Sequence, residues 1–161
     1  MCLFLTKLTF SLLIRYFTSN TSPQVLIRRS VSRRFTEQKG IEEAMKRVAA
    51  DFNLTFNLFP DNPTPPLNAT MTLFHSAVIV VGPVGAGESN ILFSRPGTYV
   101  VEGVCNVPHV NLCFQRLAYI LGHHWHGIAS RGGCENSVSV SISELDTTVR
   151  KLLHLRQNGR G

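Results

Sequence analysis

A chain of 161 residues has the length of one domain and is too short for two full ones. Hydrophobic residues make up 43%, which is enough to fill a core and excludes a wholly disordered chain. Lys+Arg 16 against Asp+Glu 10 leaves a charge of +6, which suits an anionic ligand but is too modest to make a nucleic-acid binder. Charged residues are only 16%, so part of the surface is expected to be covered by a partner or by glycans.

Residues 1–22 form an apolar N-terminal segment interrupted by Lys7 and Arg15. It is too broken to supply the ~20 apolar residues of a spanning helix. Two readings stay open, a poor signal sequence or a packed element from a missing lobe. Gln24 to Ile27 reads as a strand, followed by the basic run Arg28-Arg-Ser-Val-Ser-Arg-Arg34. From Gly40 to Phe52, Ile41, Ala44, Met45, Val48, Ala49 and Phe52 step by three and four, one face of a helix. Leu54, Phe56 and Leu58 alternate with polar residues, as in a strand. The prolines between Pro60 and Pro66 predict a rigid loop, since each fixes φ and removes a donor.

A short helix over Leu67 to Ser76 leads into Ala77-Val-Ile-Val-Val81, an unalternated β-branched run that predicts a strand buried on both faces. A glycine turn then opens a helix over Glu88 to Phe93, and Thr98 to Glu102 reads as a further strand closed by Glu102. Val110, Cys113, Phe114, Leu117, Ile120 and Leu121 predict an amphipathic helix ended by Gly122. His124 to Ala129 predicts a last strand, and Ser143 with Asp146 predicts the cap of a final helix. The alternation makes this an α/β fold with a mostly parallel sheet, one domain over 23–156 and a frayed tail over 157–161.

Cys2, Cys105, Cys113 and Cys134 form no CxxC pair, which argues against structural zinc. Asn20-Thr-Ser, Asn53-Leu-Thr and Asn68-Ala-Thr are glycosylation acceptors and together fit a secretory-pathway protein. In that setting a disulfide among Cys105, Cys113 and Cys134 is expected. The cluster His123-His-Trp-His126 lacks an adjoining carboxylate, and it reads as a polar strand edge rather than a metal site.

The sharpest feature is Val78-Ile-Val-Val-Gly-Pro-Val-Gly-Ala-Gly-Glu-Ser-Asn90, a strand, a glycine turn and a helix start. Open α/β sheets hold phosphates this way, with bare backbone amides and the helix N-terminus facing the anion. It is neither a Walker A loop nor a full dinucleotide fingerprint, and glycines that merely make a tight turn remain the alternative. In a doubly wound sheet the arginines after the first strand would share a crevice with this loop, where a guanidinium fork suits a diphosphate. Glu102 would then be placed to accept from a ribose.

Taken in order, these segments resemble glycosyltransferase family 61, which includes the EGF-domain O-GlcNAc transferases and plant xylosyltransferases. The resemblance rests on Arg29-Ser-Val-Ser-Arg33, on Gly82-Pro-Val-Gly-Ala-Gly-Glu-Ser-Asn90, on Leu92-Phe-Ser-Arg-Pro-Gly-Thr-Tyr-Val-Val-Glu102, and on Phe114-Gln-Arg-Leu-Ala118 to Leu121-Gly122. It implies a Rossmann-like doubly wound sheet, the C-terminal lobe of a GT-B enzyme. It further implies transfer from a UDP-sugar donor to a protein or glycan acceptor with inversion, in the ER or Golgi lumen, with membrane attachment at or beyond the N-terminus. Arg29, Arg33, Gly85, Ala86, Gly87, Ser89 and Asn90 would bind the donor diphosphate and Glu102 the ribose, with no metal, no other cofactor and no nucleic acid. Two positions depart from the family pattern: Val84 stands in place of its histidine, and Glu88 in place of its apolar residue. Glu88 is thereby expected to set a negative charge beside the diphosphate. A catalytically inactive or truncated homologue acting as a binding or scaffold module is the alternative reading.

Overall fold

A sheet of five parallel strands organises residues 22–108 and 110–159, the part of the chain that the computed structural model describes. The readings of the apolar N-terminal segment, Asn20 and the end of the tail lie outside those residues. The strands are β1 (Pro23–Arg28), β3 (Thr55–Pro60), β4 (Ile79–Pro83), β5 (Tyr99–Val104) and β6 (His124–Ala129). In space they run β3-β1-β4-β5-β6. The short strands β2 (Arg34–Phe35) and β7 (Ser137–Val138) pair separately, also in parallel.

Helix α1 (Gln38–Asp51) and helix α4 (Ile142–Gln157) cover one face of the sheet. Ile41, Ala44, Met45 and Val48 of α1 meet Leu145, Val149 and Leu153 of α4 over Leu26, Ile79, Val81 and Val101. The other face carries α2 (Leu67–Ser76), a 3-10 helix (Ala86–Phe93) and α3 (Cys113–Ile120). Phe74, Ile91 and Ala118 from these elements pack on Val25, Ile27, Val80 and Val100. Successive residues of β1 and β4 therefore feed opposite layers, which is why both strands read as unbroken apolar runs.

The α/β doubly wound architecture agrees with the reading from sequence, and α2 and β6 have the predicted bounds. Beyond shifts of one or two residues at the ends of other elements, four details differ. The segment after the glycine turn is a 3-10 helix. Ser89 Oγ donates to Ala86 O at 2.6 Å and Asn90 Nδ2 to Gly87 O at 3.0 Å, bonds that favour the tighter turn. Val110 lies outside α3 and is 38% exposed, because the helix starts at Cys113. The cap of α4 is Ser141, whose Oγ accepts from Glu144 N, while Asp146 bonds Arg150 at 2.8 Å. Ser141-x-x-Glu144 is the standard capping spacing, so the signal was present two residues upstream of the predicted one. Finally, Glu102 lies inside β5, not at its end.

Candidate functional site

The sheet order reverses between β1 and β4, so the chain leaves their C-terminal ends toward opposite faces and a crevice opens between them. The loop after β1 carries Arg29 and Arg33, and the loop after β4 carries Val84 to Gly87. The topology thus brings together two segments far apart in sequence. Arg29 is only 13% exposed at its side chain, and its guanidinium lies directly on Gly85. A Cβ at Gly85 would collide with Arg29 Nη1 and lie 2.9 Å from Cζ, so only glycine permits this approach. Arg33 takes a left-handed backbone with φ 52 and is exposed.

Ala86 and Gly87 open the 3-10 helix, whose first internal bond runs from Glu88 N to Gly85 O at 2.9 Å. The amides of Ala86 and Gly87 therefore have no acceptor inside the helix. Ser89 spends its one donor, and Asn90 one of its two, on the loop's own carbonyls, so both help to shape the turn.

Beside this loop lies a cavity of about 310 Å³ lined by Arg33, Val84, Gly85 and Ala86 on one side. Cys105, Val107, Val110, Asn111, Cys113 and Phe114 form its other wall. That wall, the segment between β5 and α3 with the first residues of α3, was missed as part of the site. Its signal was Val107, an apolar residue left outside any periodic element and 40% exposed; Val110, 38% exposed, was assigned to the helix instead. At the position of the family's histidine, Val84 offers this cavity only carbon.

Glu88 and Glu102 both depart from their expected roles. Each is 0% exposed, so neither presents an oxygen to the crevice. Glu88 points inward, where its Oε1 would lie 2.6 Å from a Cβ at Gly82, and neither of its oxygens has a partner. Burial, and then repulsion from Glu102, hold its pKa well above the usual carboxylate range. The expected charge beside a diphosphate is therefore withdrawn from the crevice, and the carboxyl lies where burial disfavours its ionised form. Glu102 accepts from Trp125 Nε1 at 2.8 Å through Oε2, and Oε1 is unpartnered. Burial pushes its pKa to about 7 against the smaller opposing effect of the Trp125 bond. A ribose contact is not available to a side chain so placed.

The three histidines separate as alternation predicts. His124 and His126 are exposed, and His124 stacks on Tyr99 at 4.8 Å. His123 is buried with Nε2 3.1 Å from Ile91 O, and burial lowers its pKa. Among the described residues no three His, Cys, Asp or Glu side chains are grouped to hold a metal ion. Cys105 and Cys134 form a disulfide that ties the loop after β5 to the loop after β6, and Cys113 is exposed. Asn53 and Asn68 are both exposed. No helix among the described residues is long and apolar enough to cross a membrane.

A family model described as Glycosyltransferase 61 matches residues 4–101. The span takes in β1, the arginine loop, the glycine loop and the first half of β5, and ends just before Glu102. No curated protein matches the chain.

Proposed function

Because this chain belongs to glycosyltransferase family 61, we propose that it is the donor-binding, C-terminal lobe of a GT-B type enzyme. In this reading it takes a UDP-sugar and transfers the sugar, with inversion, to a protein or glycan acceptor. The observation that carries the reading is the Arg29 guanidinium lying on Gly85 at the point where the strand order reverses. Arg33, Gly85 and Ala86 line the adjoining cavity and Arg29 lies on Gly85, so in this reading the two guanidinium groups and the amides of Ala86 and Gly87 are the donors offered to the diphosphate. That set can fork onto a diphosphate and stabilise the charge that grows on departing UDP. The 310 Å³ cavity gives the rest of the donor somewhere to lie.

Titration calorimetry with UDP tests this. The wild-type chain is expected to bind, and Arg29→Ala to weaken binding by about 30- to 100-fold, the worth of a partly buried charge-assisted contact. Arg33→Ala should cost about tenfold, since an exposed guanidinium is better screened. No heat from UDP with an intact fold would overturn the reading.

The alternative, a homologue kept as a binding or scaffold module, is favoured by Val84, which leaves the cavity without the family's imidazole. The double variant Val84→His/Glu88→Leu restores both family residues. It is expected to raise UDP affinity about tenfold through one new hydrogen bond; an unchanged affinity would mean the cavity does not hold the donor.

We place the protein in the secretory pathway, in the ER or Golgi lumen. The Cys105–Cys134 disulfide and the exposed acceptors Asn53 and Asn68 support this. Expression in secretory cells should yield glycans at Asn53 and Asn68, read as a mass loss on treatment with an N-glycanase. Unmodified protein would point to another compartment.

A further inference from the structure

We propose that Asp61 is a positioning residue for the donor site: it holds the turn after β1 so that the Arg29 guanidinium faces the glycine loop. The proposal rests on the donor-diphosphate reading above. Asp61 follows β3, a neighbouring strand, and has no place in the motifs that point to the site. Its Oδ1 accepts from Ser30 N at 2.9 Å and from Ser30 Oγ at 2.8 Å. Its backbone N donates to Arg28 O at 3.0 Å. Asp61 therefore grips the chain on both sides of Arg29. Its carbonyl accepts from Thr64 Oγ1 at 2.8 Å, which ties this clamp into the proline loop.

Arg29 completes the arrangement. Its Nε donates to Ser32 O at 2.8 Å and lies 4.0 Å from Asp61 Oδ2. With that edge of the guanidinium occupied, Nη1 is the end left on Gly85. A held arginine loses less freedom when it meets an anion, so pre-organisation strengthens binding without a new contact. The acceptor geometry of Asp61 matters here more than its charge. Its negative charge works against an anionic ligand, and both close bonds to Ser30 need only an acceptor oxygen.

The test measures UDP affinity together with the Arg29 Nε–H signal in ¹⁵N-resolved NMR of the full chain. Asp61→Ala should weaken UDP binding about tenfold and abolish the protected Nε–H signal, identified by its loss in Arg29→Ala. Asp61→Asn keeps an oxygen at the acceptor position and should stay within about threefold of wild type. In an Arg29→Ala background, Asp61→Ala should add nothing, because the pathway through Arg29 is already gone. The proposal is overturned if Asp61→Ala leaves the Nε–H signal intact, if its penalty persists without Arg29, or if Asp61→Asn is as damaging as alanine. Should wild type bind no UDP, the donor reading fails, and the NMR signal alone decides whether Asp61 orders Arg29.

Discussion

Glu88→Leu is expected to raise the unfolding free energy by about 1 kcal/mol near pH 4, and by more near pH 8. The physical basis is a fully buried carboxyl group with no hydrogen-bond partner for either oxygen, repelled by a second buried acid. Leucine has a similar volume, leaves no orphaned polar atom and removes the repulsion with Glu102. The pH dependence follows from linkage. Both acids have raised pKa values in the folded state, so above about 4.5 the native protein holds protons that the unfolded chain has released. Stability from these groups is complete below the ordinary value of 4.5 and is lost as pH rises through the folded values, which for Glu102 is about 7. Glu102, with its own share of about 3 kcal/mol across that window, remains in the variant, so the difference between the two proteins reports Glu88. Urea unfolding of wild type and variant at several pH values measures the effect. A variant less stable than wild type near pH 8 would show that Glu88 has partners in solution.

Replacing both Cys105 and Cys134 by serine should lower stability by about 3–4 kcal/mol, with UDP binding weakened as well. The disulfide spans a sequence separation of 29, and closing a loop of that length removes this much chain entropy from the unfolded state. Cys134 is also 5% exposed and belongs to the larger core, so serine leaves a polar group there. The bond sits between the segment that walls the cavity and the segment that continues into β7. Since β7 pairs with β2 at the end of the arginine loop, loosening one should loosen the other. Denaturant unfolding under non-reducing conditions gives the stability change, and calorimetry gives the affinity. A loss under about 1 kcal/mol would mean that the reduced loops stay ordered without the bond.

Much of the fold was legible before any coordinate. The spacing of Ile41, Ala44, Met45 and Val48 marked α1, and the unbroken run Ala77–Val81 marked a central strand. Such patterns are local consequences of helix and strand periods, so a single segment displays them. The glycine loop was legible for a similar reason, because bare backbone at a strand end has a short sequence signature. The pairing of β2 with β7 carried no such mark: two residues are too few to show a period. Asp61 was illegible too, since its role depends on a neighbouring strand delivering it to Ser30.

By its sequence alone this chain declared an α/β domain of glycosyltransferase family 61 character and named the arginines and glycines of its candidate site. Periodicity and backbone freedom are properties of neighbouring residues, and neighbours can be read in order. Only the tertiary structure decided what surrounds each polar group. It buried both Glu88 and Glu102, walled the cavity with Val107, Val110 and Phe114, and set Arg29 on Gly85. Burial and charge are set by groups brought from elsewhere in the chain, so the same glutamate can be a surface anion or a neutral core acid until the sheet is assembled.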